Sequence, residues 1–336
     1  MIARIEDVAR EAGVSTATVS RALRGLPNVS EVTRVRVVRV ATDLGYVVSR
    51  TASTLASGRT LTVAVLSPFM ERWFFSQLIA AVESELRTRG YDALLIGLAQ
   101  PGAPGRDAFK PETLRGRVDA VVVLTAPLTG GELDGVRRLG LPTVFIGASL
   151  GGAMSVRVDD VAIARTATEH LLHLGHTRIA YVGGDPHEPI NYTTPADRRA
   201  GWMAAMRAAG VEPVAAYEVP GLFTPAGGLA AGRALLALAE PPTAVFAASD
   251  EMAFGVLAAA REAGVRVPAQ LSVVGVDDHE LATLVDLTTV AQPVARQGTL
   301  AAQLALDAIS GLSRTQEHVV VPVHLEVRGT TGPCPA

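Results

Sequence analysis

The chain has 336 residues, enough for two domains and a small third. With 49% apolar and 19% charged residues it is no disordered chain, and its one cysteine, Cys334, excludes a disulfide framework or a multi-cysteine metal site within one copy. The net charge of -3 conceals an asymmetry: residues 1–59 hold nine arginines against five acids, +4, which leaves -7 on the rest. A basic head on an acidic body suggests a polyanion as the head's partner. No uninterrupted apolar run of about 18 residues occurs, and Arg4, Glu6 and Asp7 sit where a signal peptide needs apolar residues, so a soluble cytoplasmic protein without membrane contact is expected.

The head reads as three short helices. Ile5, Val8, Ala9 and Ala12 form an amphipathic stripe that ends at Gly13. Ser15 is placed to cap a second helix that turns Val19, Ala22 and Leu23 inward, while Thr16, Ala17, Ser20, Arg21 and Arg24 lie on its outer side. Ser30 announces a third helix with Val37, Val40, Ala41 and Leu44 on its core face and a stop at Gly45. Two helices joined by a glycine turn, the second showing small and cationic side chains, predict a helix-turn-helix whose second helix enters the DNA major groove. The alternative is a small helical bundle with a basic surface.

These residues carry a resemblance. Asp7-Val8-Ala9, Ala12-Gly13-Val14-Ser15, Thr18-Val19-Ser20-Arg21, Val29-Ser30 and Leu44-Gly45-Tyr46 resemble the head of the LacI/GalR family of bacterial transcriptional repressors. The resemblance implies operator DNA as partner, a head over residues 1–48 and a hinge over residues 49–59 that orders on DNA. It further implies that Leu55 wedges into the minor groove with Ala56 beside it. Of the arginines left over from base reading, Arg24 and Arg50 are the candidates for phosphate contacts. A linker leucine packed on the body is the other reading of Leu55.

From residue 60 onward, apolar runs at 61–66, 93–98, 120–124, 143–146, 179–182, 244–247 and 272–276 alternate with helical patterns, and a short strand is expected at 155–158. Such runs mark parallel strands buried on both faces, and their number predicts two sheets with a cleft between them. The expected fold is thus an all-α helix-turn-helix head joined by a hinge to an α/β body of two parallel-sheet subdomains. The family resemblance implies the same body, the periplasmic-binding-protein-like fold, with crossings near 162, 291 and 323. It divides residues 60–336 into an N-subdomain of about 60–162 and 292–322 and a C-subdomain of about 163–291 and 323–331.

Ligands of open parallel sheets collect beyond the strands' C-terminal ends. After the first run stands Trp73-Phe74-Phe75, whose rings cannot all face one core. Asp197-Arg198-Arg199-Ala200-Gly201-Trp202 resembles the family's R-x-x-G-[FW] signature, which implies that Arg198 donates to an effector. By the same resemblance Phe74 and Phe75 border the effector, Phe223 stacks on it, and Ser249, Asp250 and Asp277 face it. Relatives usually have asparagine where Ser249 stands, so the effector's identity cannot be borrowed; a sugar or sugar derivative is expected first, a nucleoside or purine second.

Other chemistry is imitated. Gly147-Ala148-Ser149-Leu150-Gly151 fits the G-x-S-x-G of hydrolases, but a strand rather than a helix is expected next. His170, His173 and His176 suggest zinc, yet Gly175 should end their helix before His176. A dehydrogenase shares the strand–helix alternation, but Ser67-Pro68-Phe69-Met70 lacks a phosphate-binding glycine. A solute receptor is the other rival, and the DNA head argues against it. A non-enzymatic regulator without metal or cofactor is expected, acting as a homodimer because no heptad repeat follows Arg328.

Overall fold

The computed structural model describes residues 3–23, 25–46, 58–98, 109–125, 128–148, 153–185, 193–312 and 317–335. The chain forms two compact units, residues 1–61 and 62–336.

In the first unit, α1 (Ile5–Ala12), α2 (Thr16–Leu23) and α3 (Glu31–Asp43) enclose a core of Val8, Ala9, Ala12, Val19, Ala22, Val37, Val40 and Ala41. Gly13 closes α1 at φ 64°, a left-handed conformation that β-carbons disfavour, and so permits the sharp turn into α2. Ser15 Oγ accepts from the Thr18 backbone N–H at 3.1 Å and Ser30 Oγ from that of Thr33 at 3.3 Å, so both serines cap their helices. The sequence pattern fails at Leu44, which is 39% exposed. Helix α3 ends at Asp43, the stripe loses its period there, and Tyr46 packs on the core beyond it. Arg34 is absorbed by the fold: its guanidinium donates to the carbonyls of Ala22 and Leu26, both at 2.9 Å, at the end of α2.

The second unit runs β1 (Thr62–Ser67), α4 (Trp73–Thr88), β2 (Asp92–Gly97), β3 (Ala120–Leu124), α5 (Gly130–Arg138), β4 (Thr143–Ile146) and β5 (Met154–Arg157). It continues with α6 (Asp160–His173), β6 (Ile179–Gly183), α7 (Thr194–Ala208), β7 (Glu218–Pro220), α8 (Pro225–Leu236), β8 (Ala244–Ala247), α9 (Asp250–Glu262) and β9 (Ser272–Asp277). Last come β10 (Thr288–Ala291), α10 (Val294–Ile309), β11 (His318–Val320) and β12 (His324–Glu326). One six-stranded sheet has the order β11-β5-β4-β3-β1-β2 and the other β12-β10-β9-β8-β6-β7, parallel except where β12 meets β10. The central strands are buried on both faces, as continuous apolar runs require.

The chain passes between the sheets after β5, after β10 and between β11 and β12, so two lobes share three connections. Predicted runs lie within a residue of the observed strands, but β7 and β10 escaped. Strand β7 is a three-residue edge strand ending in proline, and β10 reads Thr-Thr-Val-Ala with too little apolar contrast. Gly201 lets α6 and α7 cross closely, since a β-carbon there would lie 2.4 Å from the Val161 carbonyl oxygen.

Candidate effector cleft and DNA-reading face

In the head, Thr16, Ala17 and Arg21 are exposed on α2 and Ser20 is half-buried beside them. Their side chains contribute nothing to the head's core, which leaves this face available for base edges. Arg24, Arg50, Leu55 and Ala56 lie outside the described residues.

In the body, a cavity of about 390 Å³ opens between the C-terminal ends of the two sheets. It brings together Phe74, Phe75, Arg198, Phe223, Ser249 and Asp277, six of the residues singled out by sequence. Phe74 and Phe75 come from the start of α4, with Phe69 meeting Phe75 edge-on at a centroid distance of 5.4 Å. The opposite wall is polar. Arg198, only 4% exposed, donates through Nε to Asp160 Oδ1 at 2.8 Å and through a terminal nitrogen to the Ala248 carbonyl. Thr194 donates to the other Asp160 oxygen at 3.1 Å. Burial pushes the Asp160 carboxyl up, and the neighbouring Arg198 guanidinium works against that rise.

Asp277 closes β9 and accepts from Gln292 Nε2 at 2.5 Å, while Gln292 Oε1 accepts from Gln297 Nε2 at 3.1 Å. This chain of groups runs from one sheet, through the second connection, to α10 on the other lobe. Burial pushes the Asp277 carboxyl up to about 7, although Arg198 and the Gln292 hydrogen bond pull the other way. The wall is also strained: Asp277 has φ 125°, Leu222 54° and Phe223 52°, and Asp278 just behind it has 56°, all without glycine's freedom. Arg328 holds Asp278 through a 2.6 Å ion pair, one of the contacts that offset this strain.

Asp250 lies apart from the six. Expected at the effector, it is fully buried and absent from the cavity wall; its carboxylate accepts from Thr289 Oγ1 at 2.7 Å and from the His279 backbone N–H at 2.8 Å. Burial, then repulsion from Asp277, raises its pKa well above the usual carboxylate range. Adjacent residues at a helix start point about 100° apart, so Ser249 faces the cavity while Asp250 turns inward. Sequence reasoning in turn missed Gln292 and Arg72 on the lining. Asp160 stands three positions beyond β5 and Gln292 directly after β10, a strand-end signal that was legible for β5 and hidden for β10 by its weak pattern. Arg72 stacks its guanidinium 3.6 Å over the Phe69 ring.

The cavity is built to hold a ligand rather than to transform one. Paired donors and acceptors on a buried wall suit hydroxyls or a heterocycle edge, and the phenylalanines suit the apolar face of a ring. Ser249 Oγ is engaged with the Met252 N–H at 3.3 Å as a helix cap, not aligned by a general base. Ser149, Leu150 and Gly151 of the G-x-S-x-G match lie outside the described residues, and β5 is the next described element. Among the described residues no group of three or more His, Cys, Asp or Glu is arranged to hold a metal. His176 is buried, with Thr243 Oγ1, Ser272 Oγ and the Gly332 carbonyl each 3.0 Å from its ring nitrogens.

A helix-turn-helix head with an open α2 face, followed by a two-lobed body with a polar cleft, defines a ligand-responsive DNA-binding transcription regulator. The comparisons agree. Residues 4–49 match the model of bacterial regulatory proteins of the lacI family, and residues 168–331 that of the periplasmic binding protein-like domain. Catabolite control protein A of Priestia megaterium is 32% identical over 332 residues, covering 97% of this chain and 98% of its own. The lac repressor dimer bound to operator and the anti-inducer ONPF superposes with a TM-score of 0.86 at 28% identity, over 99% of this chain and all of that one. A complex of the regulator CelR with cellobiose gives 0.70 at 33% identity, over 98% and 99% of the two chains. The chain belongs to the LacI family of transcription regulators, and it is not an enzyme. Among the described residues, no helix is long and apolar enough to cross a membrane.

Proposed function

We propose that the protein is a cytoplasmic repressor that binds a near-palindromic operator as a homodimer and changes its grip on DNA when an uncharged polyhydroxyl effector, a sugar or sugar derivative, fills the cleft. The observation that carries the reading is the cleft wall: Arg198, Asp277 and Gln292 are buried, mutually braced and open to one 390 Å³ cavity faced by phenylalanines. Thr16, Ala17 and Arg21 read base edges with Ser20 beside them on the DNA, Arg24 and Arg50 hold phosphates as cations left over from base reading, and Leu55 with Ala56 enters the minor groove on resemblance alone. Arg198, Ser249 and Asp277 hold the ligand from one lobe while Phe74 or Phe75 covers it from the other, with Phe223 stacking at the rim. A purine or nucleoside is the second ligand class, since an arginine fork and aromatic faces also suit a base. Differential affinity for two cleft geometries is what lets such a ligand act on DNA.

Two measurements test this. Selection from a random duplex library should return an inverted repeat, and a thermal-shift screen of sugars and nucleosides should find a ligand that alters affinity for that repeat by roughly 5- to 150-fold. A selected site without two-fold symmetry, or a screen in which only anionic metabolites bind, would overturn the reading.

A further inference from the structure

The most unusual contact outside the cavity wall joins the two lobes. Trp73 opens α4 on the lobe of β1, and His279 follows β9 on the other lobe. Their rings lie 4.4 Å apart, centroid to centroid, at an interplanar angle of 32°. Phe254 of α9 meets the far side of the contact, edge-on to His279 at 5.3 Å. The Trp73 indole N–H is buried without a hydrogen-bond partner among the described residues.

What fixes His279 is Asp250. The Asp250 carboxylate holds the His279 backbone N–H at 2.8 Å and is itself held by Thr289 Oγ1 at 2.7 Å, and His279 Nδ1 accepts from the Leu281 N–H at 3.0 Å. Asp250 also lies beside the cleft's chemistry, because repulsion from Asp277, which lines the cavity, adds to the burial that raises the Asp250 pKa. A path thus leads from the cavity wall at Asp277 along the main chain to His279, whose backbone N–H the Asp250 carboxylate holds, and from the His279 ring across the cleft to Trp73. Next to Trp73, Arg72 and Glu251 face one another across the same lips, and Arg72 restrains the burial-driven rise of the Glu251 pKa.

We propose that Asp250 is a positioning residue rather than an effector ligand: it sets the His279 ring against Trp73, and this ring contact is the latch that couples occupancy at Asp277 to the angle between the lobes. The latch itself is independent of what the effector is; only its coupling step rests on the cleft being the effector site.

The chain has two tryptophans, so the emission of Trp73 is obtained as the difference between a protein and its Trp73→Phe counterpart. In the full-length, ligand-free protein, His279→Leu and Asp250→Asn should each raise acrylamide quenching of Trp73 by about twofold or more. The double variant should do no more than either alone, the signature of residues acting through one contact. His279→Phe, which keeps a ring against the indole, should restore the parent's quenching. Thr289→Val, which frees the Asp250 carboxylate, should reproduce Asp250→Asn and stands in for it if that variant melts early. Parent-like quenching in the folded Asp250 and Thr289 variants would overturn the positioning role, and parent-like quenching in His279→Leu would overturn the latch. With cellobiose as probe, calorimetric binding accompanied by a shift in Trp73 emission in the parent, lost in Asp250→Asn at an affinity within about threefold, supports the coupling. Binding heat without any shift in the parent overturns it. Absence of heat from cellobiose, ribose and a nucleoside alike counts against the effector reading and leaves the ligand-free latch result standing.

Discussion

The head and the cleft keep their functional side chains in opposite physical states. On α2 the residues assigned to DNA are short or solvated, and the head's core of Val8, Val19 and Val37 would be the same without them. In the cleft, Arg198, Ser249 and Asp277 are 4%, 5% and 6% exposed, so each is held in place by the fold and holds the fold in return. Recognition of a polyanion tolerates solvent, because phosphates and base edges bring their own charge and shape. Recognition of a small neutral ligand requires desolvated groups fixed in advance, because only then are its few hydrogen bonds worth more than those to water. Function and stability are therefore separable by substitution in the head and entangled in the cleft.

The largest effect expected from this difference is at Arg198. Removing one partner of a buried ion pair leaves the other uncompensated, here Asp160 with its 2.8 Å bond lost, and Arg198→Ala should destabilise the body by about 3 to 5 kcal/mol as well as abolishing the effector response. Urea unfolding with and without the screened ligand measures both. A variant as stable as the parent would break the comparison, and Arg198→Lys should recover stability only in part, since an ammonium cannot serve both Asp160 and the Ala248 carbonyl with a planar fork.

A second effect is confined to the body. The Asp277 pKa rises from 3.8 to about 7 on folding, so the folded state holds its proton more tightly than the unfolded chain. Its contribution to stability is fully present below the unfolded value and is lost as pH rises through about 7. His176 has a lowered pKa and works in the other direction, losing stability as pH falls below 6.5. Melting curves of parent and Asp277→Asn should therefore converge or cross between about pH 5 and about pH 8, with the parent losing relative stability toward high pH. Parallel curves would show that Asp277 stays ionised throughout.

In the head, Arg21→Ala should leave the melting temperature unchanged and cost about 1 to 3 kcal/mol of operator affinity, relaxing one position of the site. Fluorescence anisotropy on the selected repeat and on random duplex separates these outcomes; equal losses on both would make Arg21 a phosphate contact.

The same contrast explains what the sequence disclosed. Head helices were legible to the cap because Ser15 and Ser30 act within one turn of themselves, and strands were legible because double burial leaves unbroken valine and leucine runs. Leu44 misled, since a helical stripe does not say where the helix stops. In the cleft, residues marked by a local signature or a strand end, such as Arg198 and Asp277, could be found. Asp160 serves Arg198 from 38 positions away, and Gln292 serves Asp277 from 15, partnerships that no periodicity records. Asp250 is a related case: beside Ser249 in sequence, it is turned about 100° from it, into the interior.

Ser249 is where the comparison can be sharpened at the smallest scale, because one hydroxyl does both jobs. As acceptor it caps α9 through the Met252 N–H at 3.3 Å, and its own proton remains to be donated toward the cavity it lines. Ser249→Ala removes both roles and should cost about 1 kcal/mol of stability, the usual cost of losing a serine cap, together with a modest loss of ligand affinity. Ser249→Thr keeps both roles and should behave as the parent in melting and in calorimetry. Ser249→Asp is the informative variant: it retains the capping acceptor, so the helix should be as stable as in the parent, but it offers no proton when ionised and adds charge beside Asp277. Parent-like stability with weakened ligand binding in Ser249→Asp would show that cap and ligand contact are separate uses of one side chain. Weakened stability with ligand affinity unchanged would mean that Ser249 only caps α9, and that the cleft's recognition lies with Arg198 and Asp277.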